Sequence, residues 1–208
     1  MRLRHRSWSN RVVEENDDIG LRLADIEEDS LKSFDRLEIG SGLGGFLLGC
    51  SALHPESRIL GVEVAYNAFA TALKKLSPHK AAQKNFLLVN APIERLLPYL
   101  CCEQFEAIYI NFPDPWPKKR QQHRRLSSIP LLHEYYRLLK KGGQVFFRTD
   151  NVGLYEDSKE YFRQSDLFKV ETISPFYSEK VDFLPPTEYE RKFREKGIDI
   201  HLIIATKA

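Results

Sequence analysis

The sequence predicts an α/β protein with a seven-stranded, mostly parallel sheet and helices on both faces. Three observations predict it. From Arg36 onward, short apolar runs alternate with segments whose apolar residues recur at helical spacing. A glycine-rich turn follows the first of these runs and opens a helix. The last two runs are joined by a proline-containing, charged connection over 174–197, which predicts a final pairing without a crossover helix.

The elements follow in order. Residues 1–13 read as a basic arm. Residues 14–33 read as a polar, acidic helix whose sparse apolar contacts are Leu21, Leu23, Ile26 and Leu31. The seven strands are RLEIG (36–40), RILGVEV (58–64), NFLLVN (85–90), EAIYIN (106–111), QVFFRTD (144–150), LFKVETI (167–173) and IDIHLIIAT (198–206). Helical segments between them are GGFLLGCSALH (44–54), AYNAFATALKKL (65–76), PIERLLPYL (92–100), SSIPLLHEYYRLLKKGG (127–143) and LYEDSKEYFRQS (154–165). The fourth of these is expected to stop at Gly142-Gly143, with Lys140 and Lys141 complementing its C-terminal dipole. There is no internal repeat, no low-complexity tract and no linker, so one domain over 1–208 is expected.

With 42% hydrophobic and 29% charged residues, the composition is that of an ordinary globular protein. No apolar run approaches the roughly 20 residues of a membrane span, and the basic start lacks the apolar core of a secretory signal, so a cytoplasmic protein is expected. Cys50, Cys101 and Cys102 form no C-x-x-C pair and have no histidine at ligand spacing, which predicts buried free thiols and no metal site. The net charge of +2 conceals a sharp distribution. Arg2, Arg4, Arg6 and Arg11 precede the first acid, an acidic stretch follows, and Lys118, Lys119, Arg120, Arg124 and Arg125 form a second basic cluster. Local patches of this kind, rather than the sum, attract a polyanion.

Ligands of such sheets bind at the C-terminal ends of the strands, and four features stand there. The first is EIGSGLGG (38–45), where Gly40, Gly42 and Gly44 let the backbone turn sharply and approach a ligand. Glu63, 21 residues beyond Gly42, has the spacing of an acid that reaches ribose hydroxyls. Gly40, Gly42 and Gly45 also satisfy G-x-G-x-x-G, so a dinucleotide enzyme and an S-adenosylmethionine enzyme both fit. Glu38 would repel a pyrophosphate and suits the amino-acid portion of S-adenosylmethionine. The second feature is Asn90, placed to donate to and accept from an adenine. The third is the loop NFPDPWPKKRQQHRRL (111–126). Pro113, Pro115 and Pro117 are expected to hold Phe112, Asp114 and Trp116 extended. Asp114 thereby stands on a stiff frame beside the expected reactive end of a cofactor. Trp116 reads as an anchor for the loop or a stacking surface for a base. The fourth is Asp150, ending FRTDN (147–151), either a substrate contact or a cap for the next helix.

Taken together, EIGSGLGG, GVEV, NFPDPWPKKRQQHRRL, FRTDN and PTEYERKF (186–193), in this order, resemble the bacterial tRNA (guanine-N7-)-methyltransferase family, and the likeness covers nearly the whole chain. The resemblance implies a Rossmann-like class I methyltransferase fold. It also implies S-adenosylmethionine as methyl donor, tRNA as partner and N7 of a variable-loop guanine as acceptor, in a monomer or homodimer. By motif match it places Glu38, Gly40, Gly42, Gly44, Glu63, Asn90 and Asp114 at the cofactor and makes Asp114 the catalytic residue. It places Lys118, Asp150, Thr187, Glu188, Tyr189 and Glu190 at the substrate. Many members carry Asp where this chain has Asn90.

Guanine N7 is a lone-pair nucleophile without a proton, so its methylation needs alignment and charge stabilisation rather than a general base. Asp114 is therefore assigned orientation and electrostatic roles. Three other readings fit fewer of these features. An S-adenosylmethionine enzyme for small molecules or proteins leaves the basic loop unused. A non-catalytic RNA-binding protein leaves Glu38, Glu63 and Asp114 without a task. A nicotinamide enzyme conflicts with Glu38.

Overall fold

The computed structural model describes residues 7–178, 181 and 183–208. These fall into two compact units, divided in the chain between Leu100 and Cys101. Among the described residues there are eight strands, one more than expected.

The first unit begins with α1 (Ser7–Glu14), where the second half of a basic arm was expected. Arg2, Arg4 and Arg6 lie outside the described residues. The additional strand is β1 (Gly20–Arg22), inside the segment read as an acidic helix. A Cβ at Gly20 would stand 2.5 Å from Leu73 Cδ2, so any other residue would displace the Leu73 side chain. Then come β2 (Arg36–Ile39), α2 (Gly45–Leu53), β3 (Ile59–Glu63), α3 (Tyr66–Leu76), β4 (Phe86–Asn90) and the short α4 (Ile93–Leu96). The order is β1-β4-β3-β2, and every pair is parallel. Every residue of β3 is buried, as a central parallel strand requires. Its flanking core includes Leu37, Leu88 and Val89 of the sheet, and Leu47, Phe69 and Leu73 of α2 and α3.

The second unit holds β5 (Phe105–Asn111), α5 (Ile129–Leu138), β6 (Leu139–Thr149), α6 (Val152–Ser165), β7 (Phe168–Ile173), α7 (Glu188–Arg194) and β8 (His201–Lys207). Here the order is β5-β6-β8-β7. β5 and β6 are parallel, and β8 is antiparallel to both β6 and β7, so the expected non-crossover ending is present. α7 lies in the proline-containing, charged connection over 174–197, where no helix was assigned. α5 stops at Leu138, earlier than expected. Leu139 is buried and pairs with Phe105, and Lys207 Nζ donates to its carbonyl, so Lys140 and Lys141 belong to β6 rather than to a helix end. The cysteines are free, but only Cys50 is buried and Cys102 is exposed, which corrects the expectation for that pair. No described helix is long and apolar enough to cross a membrane.

Candidate active site

In the first unit the strand ends and the glycine loop are joined by hydrogen bonds. The Gly40 and Ser41 amides donate to Val62 O, at 2.8 and 3.0 Å, which ties the loop to β3. Glu63, at the end of β3, accepts from the Gly42 amide at 2.8 Å through Oε2 and from the Ala65 amide at 2.7 Å through Oε1. The acid expected to face a ribose therefore also sets the shape of the loop. Asn90 Nδ2 donates to Glu63 O at 2.7 Å and to Val64 O at 3.3 Å. Gly42, Glu63 and Asn90 thus form one connected set. Glu38 is buried in β2, two residues before Gly40. Val64, apolar yet 65% exposed, follows Glu63; it was expected inside the strand 58–64 and was not singled out from the sequence.

Two loop glycines stand beside open space. Gly40 and Gly42 have φ of +83° and +54°, and a Cβ on either would meet nothing within 4 Å. The backbone is turned left-handed next to open space, as a cradle for a bound molecule requires. Gly44 differs: its Cβ would come within 3.1 Å of Ala72 Cβ, so it serves packing against α3.

In the second unit, β5 delivers the proline loop. Asp114 is exposed. The expectation that Phe112 and Trp116 are extended is not met: their φ values are +51° and +40°. Left-handed backbone at two bulky residues is strained, and it persists only where the surroundings hold it. Those surroundings are visible. The Phe112 amide donates to Arg148 O at 2.8 Å, and the Phe112 ring lies 5.8 Å from Tyr189 and 5.6 Å from Phe193. The Arg124 guanidinium covers the Trp116 ring at 5.2 Å, which fits the anchor reading.

Arg125 departs from the phosphate-binding role given to it with its neighbours. It is 3% exposed; its Nε donates to Pro115 O at 2.9 Å, and its Nη1 to Asp157 at 2.6 Å and Tyr161 Oη at 3.3 Å. It fastens the loop to α6. Lys118, Lys119, Arg120, His123 and Arg124 remain exposed on and beside a 3-10 turn.

Asp150 is half-buried at the end of β6, and the cap of α6 is Asn151, whose Oδ1 accepts from the Leu154 amide. Thr187 is buried and caps α7, its Oγ1 accepting from the Glu190 amide at 3.0 Å. Tyr189 is 52% exposed and Glu188 half-buried. Glu190 is 1% exposed and turned inward, so it does not face a ligand here. Its Oε1 accepts from the Ser178 amide and Arg194, and its Oε2 from Arg148. The structure thus brings PTEYERKF to the base of the Asp114 loop through Phe112. Phe112, Phe193, Arg148 and Arg194 were not singled out from the sequence. Arg148 carried a signal, since a cation inside an apolar strand must be buried with partners.

Residues 32–203 match a family model described as "Putative methyltransferase". A tRNA (guanine-N(7)-)-methyltransferase of Bacillus subtilis is 31% identical over 207 residues, covering 97% of this chain and 96% of the relative. Its counterpart in Clostridium tetani is 32% identical over 212 residues, covering 99% of each. Among solved structures, the 16S rRNA methyltransferase KamB aligns with a TM-score of 0.62 at 16% identity, covering 88% of this chain and 95% of that one. That likeness shows the fold alone.

Proposed function

The chain belongs to the family of tRNA (guanine-N(7)-)-methyltransferases, and we propose that it transfers a methyl group from S-adenosylmethionine to N7 of a guanine in the variable loop of tRNA, in the cytoplasm. The observation that carries this is the end-to-end match to relatives of that name. The family match runs through both units, which supports reading them as one catalytic domain.

When bound, S-adenosylmethionine supplies an electrophilic methyl group on a sulfonium. Glu38 would hold its amino-acid ammonium by charge, Glu63 its ribose hydroxyls, and Asn90 and Val64 its adenine. The open glycines Gly40 and Gly42 leave space beside the backbone for it. In the second unit, Asp114 accepts from the guanine's N1–H and exocyclic amine, which fixes the base for attack by N7. It also keeps a negative charge near the positive charge that moves onto the ring. No residue needs to remove a proton from N7. Lys118, Lys119, Arg120 and Arg124 take phosphates, and the exposed Tyr189 ring offers a face for a base.

The test is transfer of labelled methyl from S-adenosylmethionine into unmodified tRNA. Incorporation into tRNA that Asp114→Asn reduces about 100-fold or more, with the fold intact, supports the proposal. Label that enters protein or small molecules but not tRNA refutes it.

A further inference from the structure

We infer that Arg148 is a positioning residue for methyl transfer: one buried guanidinium sets the Asp114 loop and the Thr187–Tyr189 segment in a fixed relation. The inference rests on the proposed function and concerns residues of the second unit only. Arg148 is completely buried near the end of β6. Its Nε donates to Asn111 Oδ1 at 2.7 Å, three residues before Asp114. Its Nη1 donates to Pro185 O at 3.1 Å, two residues before Thr187, and to Glu190 Oε2 at 3.3 Å. Its own carbonyl accepts from the Phe112 amide at 2.8 Å. The guanidinium therefore holds the root of the loop at Asn111 and the later segment at Pro185 and Glu190, and the Arg148 backbone adds a bond to Phe112.

The chemistry of the pair argues for placement rather than stability. A buried ion pair returns little net stability over well-packed apolar groups, because desolvation offsets the attraction. What the guanidinium provides is a rigid planar fork that reaches several acceptors in fixed directions, which a lysine ammonium does not reproduce. Glu190 is held from its other side by Arg194 at 2.6 Å and by the Ser178 amide at 2.9 Å. Removing Arg148 thus leaves Glu190 with two of its donors, while Asn111 Oδ1 and Pro185 O lose theirs and the two segments lose their common reference. TEYE reads as a capping box, yet Glu190 forgoes the reciprocal bond to Thr187 and turns to Arg148.

The experiment compares Arg148→Met and Arg148→Lys with the parent protein at temperatures well below each Tm. It measures kcat and KM for tRNA, and S-adenosylmethionine affinity by calorimetry. It also measures quenching of Trp116 fluorescence in a Trp8→Phe background. A displacement of about 1 Å at a reacting group costs on the order of 100-fold in rate. The expected result is a fall in kcat of tenfold or more in both variants, with KM and cofactor affinity little changed and Trp116 quenching altered. If Arg148→Met does not fold, Arg148→Lys, which keeps the charge without the fork, decides alone. Folded variants with parental kcat and parental quenching overturn the inference, as does full rescue by lysine. A parent protein that methylates no tRNA refutes the proposed function instead, and the quenching comparison then still decides whether Arg148 sets the loop.

Discussion

Arg125→Ala separates a buckle from a phosphate ligand. The substitution removes the Nε bond to Pro115 O and the Nη1 bonds to Asp157 and Tyr161. Leaving the Pro115 carbonyl without its donor costs about 1–3 kcal/mol. The Asp157 side chain is 46% exposed and regains water when its partner leaves, so the ion pair adds little. A total of about 2 kcal/mol in a chain of this length lowers Tm by about 4–8 °C. The Trp116 loop loosens with it, so turnover falls too. The assay pairs thermal unfolding with the salt dependence of tRNA binding. Lys119→Ala and Arg120→Ala are the comparators: each is expected to leave Tm unchanged and to lower the slope of log K against log salt by about 0.7–0.9. For Arg125→Ala the expected pattern is the reverse, a lower Tm with the slope retained. An unchanged Tm with a reduced slope refutes the buckle and returns Arg125 to the phosphate-binding set.

Four further outcomes rest on the geometry. Asn90→Asp replaces the donor facing Glu63 O and Val64 O with an acceptor, and S-adenosylmethionine affinity measured by calorimetry is expected to fall about tenfold. An unchanged affinity would mean that the side chain works by accepting. Gly42→Ala places a methyl group in open space at a left-handed position, costing about 1–2 kcal/mol of stability and most cofactor binding. Gly20→Ala instead overpacks Leu73, costing about 1–3 kcal/mol in unfolding experiments with cofactor affinity unaffected once folded. Tyr189→Ala weakens tRNA binding by about 1–3 kcal/mol while Tyr189→Phe does not, read by filter binding.

The seven expected strands were legible because buried parallel strands read as short apolar runs between turn residues. β1 was not, because its three residues owe their place to a close approach at Gly20 rather than to any periodic pattern. The end of α5 was missed for a related reason. Lys140, Lys141 and the two glycines look like a helix terminus, while the pairing of Leu139 with Phe105 is a tertiary contact no local signal reports. At the candidate site, chemistry-bearing residues at strand ends were readable from position and type. Their division of labour was not. In sequence Arg125 looks like Lys118 and Glu190 looks like Glu188, and only burial tells them apart. The left-handed Phe112 and Trp116 ran against the local preference of residues before proline, a conflict that functional loops sustain through outside support.

The most direct measurement is nucleoside mass spectrometry of unmodified tRNA after incubation with the protein and deuterated-methyl S-adenosylmethionine, with chemical cleavage to locate the product. The expected product is labelled 7-methylguanosine at one variable-loop guanine. Label on another position of guanine or on another nucleoside, or no label while the cofactor binds, would contradict it.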